Sequence, residues 1–232
     1  MGSAAAAPPP PKGFRRVYHL SSADHAISNI VFNRLKVARF SELNDPFELL
    51  ALSFKGNALG KPARAYKDKL DQEQGLLCFS ADWKDPVLWS HYAAMHTGIC
   101  LGFNLKETLA IDVSYEQKRI SGNAGRGVTV IDDGLAHQLL STKFKSWKYE
   151  QEIRVSVMLA DMAEQGSLFF YRFGKQLELA EVILGSLCSL KVGEVRELTS
   201  LHHPNAVTFQ ARLALGFFGI VPKESTVLPV TR

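Results

Sequence analysis

Cysteine is scarce: Cys78, Cys100 and Cys188 are the 3 among 232 residues, each set in an apolar stretch with no second Cys or His at metal-ligand spacing. This excludes a disulfide scaffold and a cysteine-based zinc site, and a scattered, odd set of thiols suits a reducing compartment. No apolar run approaches the roughly 20 residues that span a bilayer. Met1–Gly13 is rich in Ala and Pro but has no basic segment followed by an apolar one, so it does not read as a secretory signal. Ala6 stands where a myristoylation signal beginning at Gly2 needs Ser or Thr. A cytosolic protein with no membrane partner is expected. Walker loop, GxGxxG, HExxH, GxSxG and paired CxxC patterns are all missing, which removes the common nucleotide-loop, metalloprotease and hydrolase signatures. No metal is expected.

Charge of one sign is also lacking, since 27 Lys and Arg against 23 Asp and Glu leave +4. That surplus is too mild to imply nucleic acid, although it welcomes an anionic small ligand. Apolar residues are 46% and charged residues 22%, the balance of a folded globular chain rather than a disordered one.

What is present reads as one α+β domain over residues 14–232, preceded by a disordered tail or expression remnant over 1–13. Arg15–Leu20 is a short strand, and Ser22 caps a helix running to Asn33 with Ala26, Ile27, Ile30 and Val31 at helical spacing. Asn44-Asp45-Pro46 and Asp85-Pro86 each place a capping carboxylate before a proline at a helix start, the second helix reaching His96 and closing at Gly98. Helices are further expected at 62–73, 131–144, 190–200 and 204–213. Strands are expected at 75–80, 98–103, 111–119, 149–159, 168–173, 177–184 and 217–221. Few strands are separated by regular helices, so pairing should be mixed and mainly antiparallel, with flanking helices.

Three constellations carry chemistry. Tyr18-His19 followed by Ser21-Ser22 gathers a ring donor and backbone N–H groups where a ribose or phosphate could sit, although a half-buried His beside an ordinary helix cap is the commoner arrangement. On a helix through His96, Trp89, Tyr92 and His96 form one aromatic face suited to a flat ring, although such stripes are more often core. On a strand, Glu150, Glu152 and Arg154 share a face with the carboxylates about 7 Å apart. That arrangement is either an exposed ion pair or a pair of carboxylates able to hold a sugar hydroxyl and stabilise charge at an anomeric carbon. Lys143, Lys145 and Lys148 around Trp147 leave an RNA-directed enzyme open as well.

The order Tyr18-His19, Asn44-Asp45-Pro46-Phe47-Glu48, Trp89-Ser90-His91-Tyr92 through His96-Thr97-Gly98-Ile99-Cys100, Lys143, Trp147 to Arg154 and Ile183-Leu184-Gly185 resembles the bacterial domain-of-unknown-function 2971 family, which includes abortive-infection proteins. The likeness covers about residues 16–185. Ile153 stands where many relatives carry Trp, a change that touches no polar role. More weakly, Tyr18-His19-Leu20-Ser21 and the segment after it are similar to the opening of ADP-ribosyltransferase-like folds of the His-Tyr-Glu kind. That similarity implies an NAD-binding protein that cleaves the nicotinamide N-glycosidic bond and passes ADP-ribose to a protein or nucleic-acid acceptor. His19, with Tyr18 and Ser21 beside it, would bind the ribose, Tyr92 or Trp89 would stack on nicotinamide, and Glu152 or Glu150 would engage the sugar. Arg15, Arg16 or Arg154 would meet the pyrophosphate. A non-catalytic sensor or interaction module of phage defence is the alternative.

Overall fold

The computed structural model describes residues 7–45, 47, 52–53, 60–121 and 133–226. In chain order the elements are β1 (Phe14–Ser21), α1 (Ala23–Val31), β2 (Arg34–Val37), β3 (Leu52–Ser53), α2 (Gly60–Glu73), β4 (Gln74–Ser80), α3 (Pro86–Tyr92), β5 (Ile99–Lys106), β6 (Ile111–Asp112) and β7 (Ser114–Glu116). There follow β8 (Ile120–Ser121), α4 (Asp133–Leu140), β9 (Thr142–Phe144), β10 (Glu152–Met158), β11 (Ala163–Gln165), β12 (Leu168–Arg172), β13 (Leu177–Leu184), α5 (Val192–Ser200), β14 (Val207–Leu213) and β15 (Ile220–Pro222). The class is α+β. Two compact units form, one from Met1–Leu35, Phe79–Ala110 and Tyr171–Arg232, the other from Lys36–Cys78 and Ile111–Phe170.

In the first unit β15, β14, β13, β5 and β1 lie side by side in that order. β5 is antiparallel to both neighbours, with Tyr18 opposite Gly102 and Ile183 opposite Cys100, while β13 and β14 run parallel. The run ICLGFNL of β5 is buried at every position, as expected of a central strand covered on both faces. Trp83, Trp89, Cys100, Ile183 and Phe209 are joined in one core cluster. Ser22 caps α1 by accepting the His25 N–H at 3.3 Å, and Asp85 caps α3 by accepting the Val87 N–H at 2.8 Å with Pro86 at the first helical position. Both helix starts are where the sequence places them.

The second unit has its own core of Phe40, Leu70, Leu76 and Leu139. β6 pairs antiparallel with β10, β11 with β12, while β7 pairs parallel with β9 and β3 with β8.

Six expectations are corrected. The segment expected as a helix over 204–213 is strand β14, because Val207, Phe209 and Ala211 alternate with more polar neighbours and the parallel partner β13 satisfies its backbone. α3 stops at Tyr92 instead of reaching His96, and Ala94, Met95 and His96 follow with φ of 45°, 52° and 69°. The chain must turn back there: Gly98 N–H donates to the Ala93 carbonyl at 2.8 Å, and a Cβ on Gly98 would lie 2.2 Å from the Ser21 carbonyl oxygen. The strand expected over 149–159 begins only at Glu152. Before it a 3-10 turn spans Lys145–Glu150, and Gln151 is left-handed at φ 43°. The strand expected over 111–119 is two short ones, β6 and β7, and the helix expected over 131–144 ends at Leu140 before β9, residues 131–132 lying outside the described ones. Ala7–Gly13, expected as a tail, lies against the first unit, where Ala7 packs on the core cluster and the Pro8 carbonyl accepts from Arg16 Nη2 at 2.8 Å. The helix start expected at Pro46, and Glu48 of the same motif, lie outside the described residues.

Candidate functional site

The second unit holds a buried ionic cluster. β9 carries Lys143, the 3-10 turn carries Glu150, and β10 carries Glu152 and Arg154. The left-handed step at Gln151 lets Glu150 and Glu152 approach one ammonium: Lys143 Nζ is 2.5 Å from Glu150 Oε2 and 3.0 Å from Glu152 Oε2. Arg154 donates from Nε to Glu152 Oε1 at 2.8 Å and from Nη1 to the Leu140 carbonyl at 2.8 Å. The Lys143 ammonium also stands 4.8 Å from the centre of the Trp147 ring. The two carboxylates therefore come together, but through a turn and a strand rather than along one exposed strand face. All four ionic side chains are buried.

Burial opposes charge on Glu152, but Arg154 first and Lys143 second outweigh it and draw its carboxyl down from 4.5 to about 2. Burial likewise opposes charge on Lys143, and the attraction of Glu152 and Glu150 overcomes it, raising the ammonium's pKa. Tyr115 accepts the Glu152 backbone N–H at 2.7 Å, and burial pushes its phenol up to about 12. A carboxylate with a depressed folded pKa contributes stability that is present above its unfolded value and lost as pH falls through the folded one. The difference in urea midpoint between wild type and Glu152→Gln should accordingly shrink as pH is lowered from about 4.5 to about 2. A difference that stays constant over this window would mean that Glu152 is not held ionised by its neighbours.

Beside the cluster, within the same unit, a cavity of about 290 Å³ is lined by Asp45, Phe47, Glu116, Gln117, Lys118, Arg119, Thr142, Lys143 and Phe144. Asp45 is 3% exposed and its Oδ1 accepts the Phe47 N–H at 2.9 Å, which turns the chain so that Phe47 stands half exposed. The Arg119 guanidinium lies 4.9 Å from the centre of the Phe47 ring. Lys118 and Arg119 are exposed, whereas Lys143 is buried. Three cations (Lys118, Arg119, Lys143) and two carboxylates (Asp45, Glu116) give this lining a formal 3 − 2 = +1. Sequence reasoning passed over Asp45, Lys118 and Arg119. The NDPFE motif contained the signal for Asp45, which reads first as a helix cap.

The remaining predicted residues belong to the first unit. Tyr18 and His19 are consecutive on β1 and so point to opposite faces. His19 packs edge-on against Phe79 with ring centres 6.1 Å apart. Burial, then Glu181, raise the Tyr18 phenol. Ser21 Oγ donates to the Ser22 carbonyl at 3.3 Å. Trp89 is fully buried and its Nε1 donates to the Trp83 carbonyl at 2.6 Å. The left-handed turn brings the His96 ring back over Trp89, nearly parallel at 13° with centres 6.4 Å apart, and puts Nε2 3.2 Å from Ser90 Oγ. Tyr92 makes an edge contact with His91. Arg16 spans β1 and its neighbours, with Nη1 2.7 Å from Glu181 and Nε donating to Asn104 at 3.0 Å.

Residues 88–155 match the family described as a protein of unknown function, DUF2971, which supports the resemblance seen in the motifs. No curated protein and no solved structure matches the chain. Among the described residues no group of His, Cys, Asp and Glu has the arrangement of a metal site, and no helix is long and apolar enough to cross a membrane.

Proposed function

We propose that the chain recognises a nucleotide of the nicotinamide-dinucleotide class in the cavity of the second unit, holding the ligand rather than cleaving it. The carrying observation is the mixture of groups on one cavity wall: the buried Asp45 carboxylate, the exposed Lys118 and Arg119, and the half-exposed rings of Phe47 and Phe144. A carboxylate accepts from sugar hydroxyls, a guanidinium and an ammonium meet phosphate, and a phenyl face takes a flat ring. At about 290 Å³ the cavity lies at the lower end of ligand sites, about 300–1,000 Å³, so it encloses part of a dinucleotide and leaves the rest at the mouth. In this reading Glu150, Glu152 and Arg154 are the scaffold that fixes Lys143 in the cavity wall. A recognition module of this kind corresponds to the sensor alternative in phage defence.

A second reading is cleavage of the N-glycosidic bond, with an ADP-ribosyltransferase-like fold acting in the cytosol. The observation favouring it is that Glu152 is held ionised beside a second carboxylate, and a fixed anion stabilises the positive charge that develops on a departing sugar. Against it, the Glu152 carboxylate already receives Lys143 and Arg154, and only a charge interaction that strengthens toward the transition state accelerates a reaction.

Calorimetric titration of the intact protein with NAD tests the proposal. Saturable binding is expected, weakened at least about tenfold in Arg119→Glu, the worth of one charge-assisted contact. The reading fails if millimolar NAD gives no heat, or if the variant binds as tightly as wild type.

A further inference from the structure

Two carboxylates line the cavity of the second unit, and they differ in kind: Glu116 is exposed, whereas Asp45 is buried. Burying a carboxylate is costly unless donors or a cation answer it. One donor is in place. The Phe47 N–H reaches Asp45 Oδ1 at 2.9 Å, and it is the first backbone N–H after Asp45 because Pro46 has none. Among the described residues no cation pairs with Asp45: the Arg119 guanidinium faces the Phe47 ring, Lys143 gives its ammonium to Glu150 and Glu152, and Lys118 is exposed. The second carboxylate oxygen, Oδ2, has no hydrogen bond from any described residue.

A ligand that completes this carboxylate must bring donors to it. A carboxylate oxygen has two lone pairs, so two hydroxyls on adjacent carbons can both be accepted at one side of the group. An ammonium would also answer Asp45, but Lys118 and Arg119 in the same lining repel a further cation and attract phosphate. A ribose phosphate brings the paired hydroxyls and the anion in one molecule.

We propose that Asp45 is the specificity-determining residue of the cavity: it accepts from the vicinal 2′- and 3′-hydroxyls of a ribose, so the site takes ribonucleotides and rejects those whose diol is missing. This rests on the nucleotide reading of the cavity and adds which group of the ligand is read. The selectivity comes from an asymmetry. Hydroxyls that exchange water for the carboxylate gain little, whereas a ligand without them closes over Asp45 and leaves its oxygen dry and unmatched, which costs the full desolvation of that group.

NAD contains two riboses, so calorimetric titration of the intact protein compares it with two analogues, each lacking both hydroxyls on one of them. With wild type, one analogue should bind at least about tenfold more weakly than NAD, and it identifies the ribose that enters the cavity. Asp45→Asn keeps an amide oxygen for the Phe47 N–H and puts an NH₂ donor where the second carboxylate oxygen was, so the turn survives and the acceptor is lost. This variant should bind NAD about tenfold more weakly than wild type and should bind NAD and that analogue alike. Saturable NAD binding with both analogues as tight as NAD overturns the assignment and leaves the nucleotide reading standing, as does a discrimination that survives Asp45→Asn. Absence of any NAD binding removes both.

Discussion

Lys143→Met should lower the stability of the protein by about 3–5 kcal/mol, because it leaves Glu150 and Glu152 as buried carboxylates with one of their two cations gone. For a chain of this size that corresponds to a fall of roughly 10 °C in Tm. The loss is not the worth of an ion pair in isolation. It is the cost of stranding charge, so Glu150→Gln placed on the Lys143→Met background should recover part of it, and a double-mutant cycle on urea midpoints measures the coupling. If Lys143→Met costs less than about 1 kcal/mol, the cluster is wetter than its burial indicates and behaves as a surface pair.

Trp89→Ala should be comparably destabilising, by about 3–5 kcal/mol, and for a different reason. The indole is fully buried, packs edge-on against Trp83 with ring centres 6.4 Å apart, and satisfies the Trp83 carbonyl through Nε1. Truncation opens a cavity, strands that carbonyl and removes the surface on which His96 lies. Chemical denaturation measures the stability loss, and NAD titration of the fraction that remains folded should give the wild-type affinity. Lost binding with little loss of stability would return Trp89 to the role of a stacking platform.

These two residues also show how far the sequence could be read. The capped starts of α1 and α3 were legible because a side-chain oxygen bonding a nearby backbone N–H is a local interaction. The central strands β5 and β13 were legible as apolar runs. β14 reads as a helix in sequence because its Ala, Leu and Arg content favours one, and the parallel partner that overrides this preference lies more than twenty residues earlier. The turn at Ala94–His96 could not be foreseen: nothing local asks three non-glycine residues to take positive φ, and the cause is the close approach of Ser21 and Gly185 to this segment.

The candidate site was half legible for the same reason. Its charged residues could be picked out, and Glu150, Glu152 and Arg154 do meet. Their partner Lys143 was visible in the sequence too, but alternation along an assumed strand gave no reason to seat its ammonium between the two acids. Which residues line the cavity depended on the pairing of β7 with β9, which carries Glu116 and the residues after it next to Lys143 and Phe144. Lys118 and Arg119 announced nothing by themselves.

The proposal that the second unit binds a nucleotide without breaking it is tested most directly by incubating the intact protein with saturating NAD and separating the products by chromatography. A cavity that only binds leaves NAD whole, so the dinucleotide should be recovered intact with no nicotinamide above a protein-free control. Nicotinamide released by wild type and abolished by Glu152→Gln would contradict this, and would make the buried carboxylate a catalytic group instead of the support for Lys143.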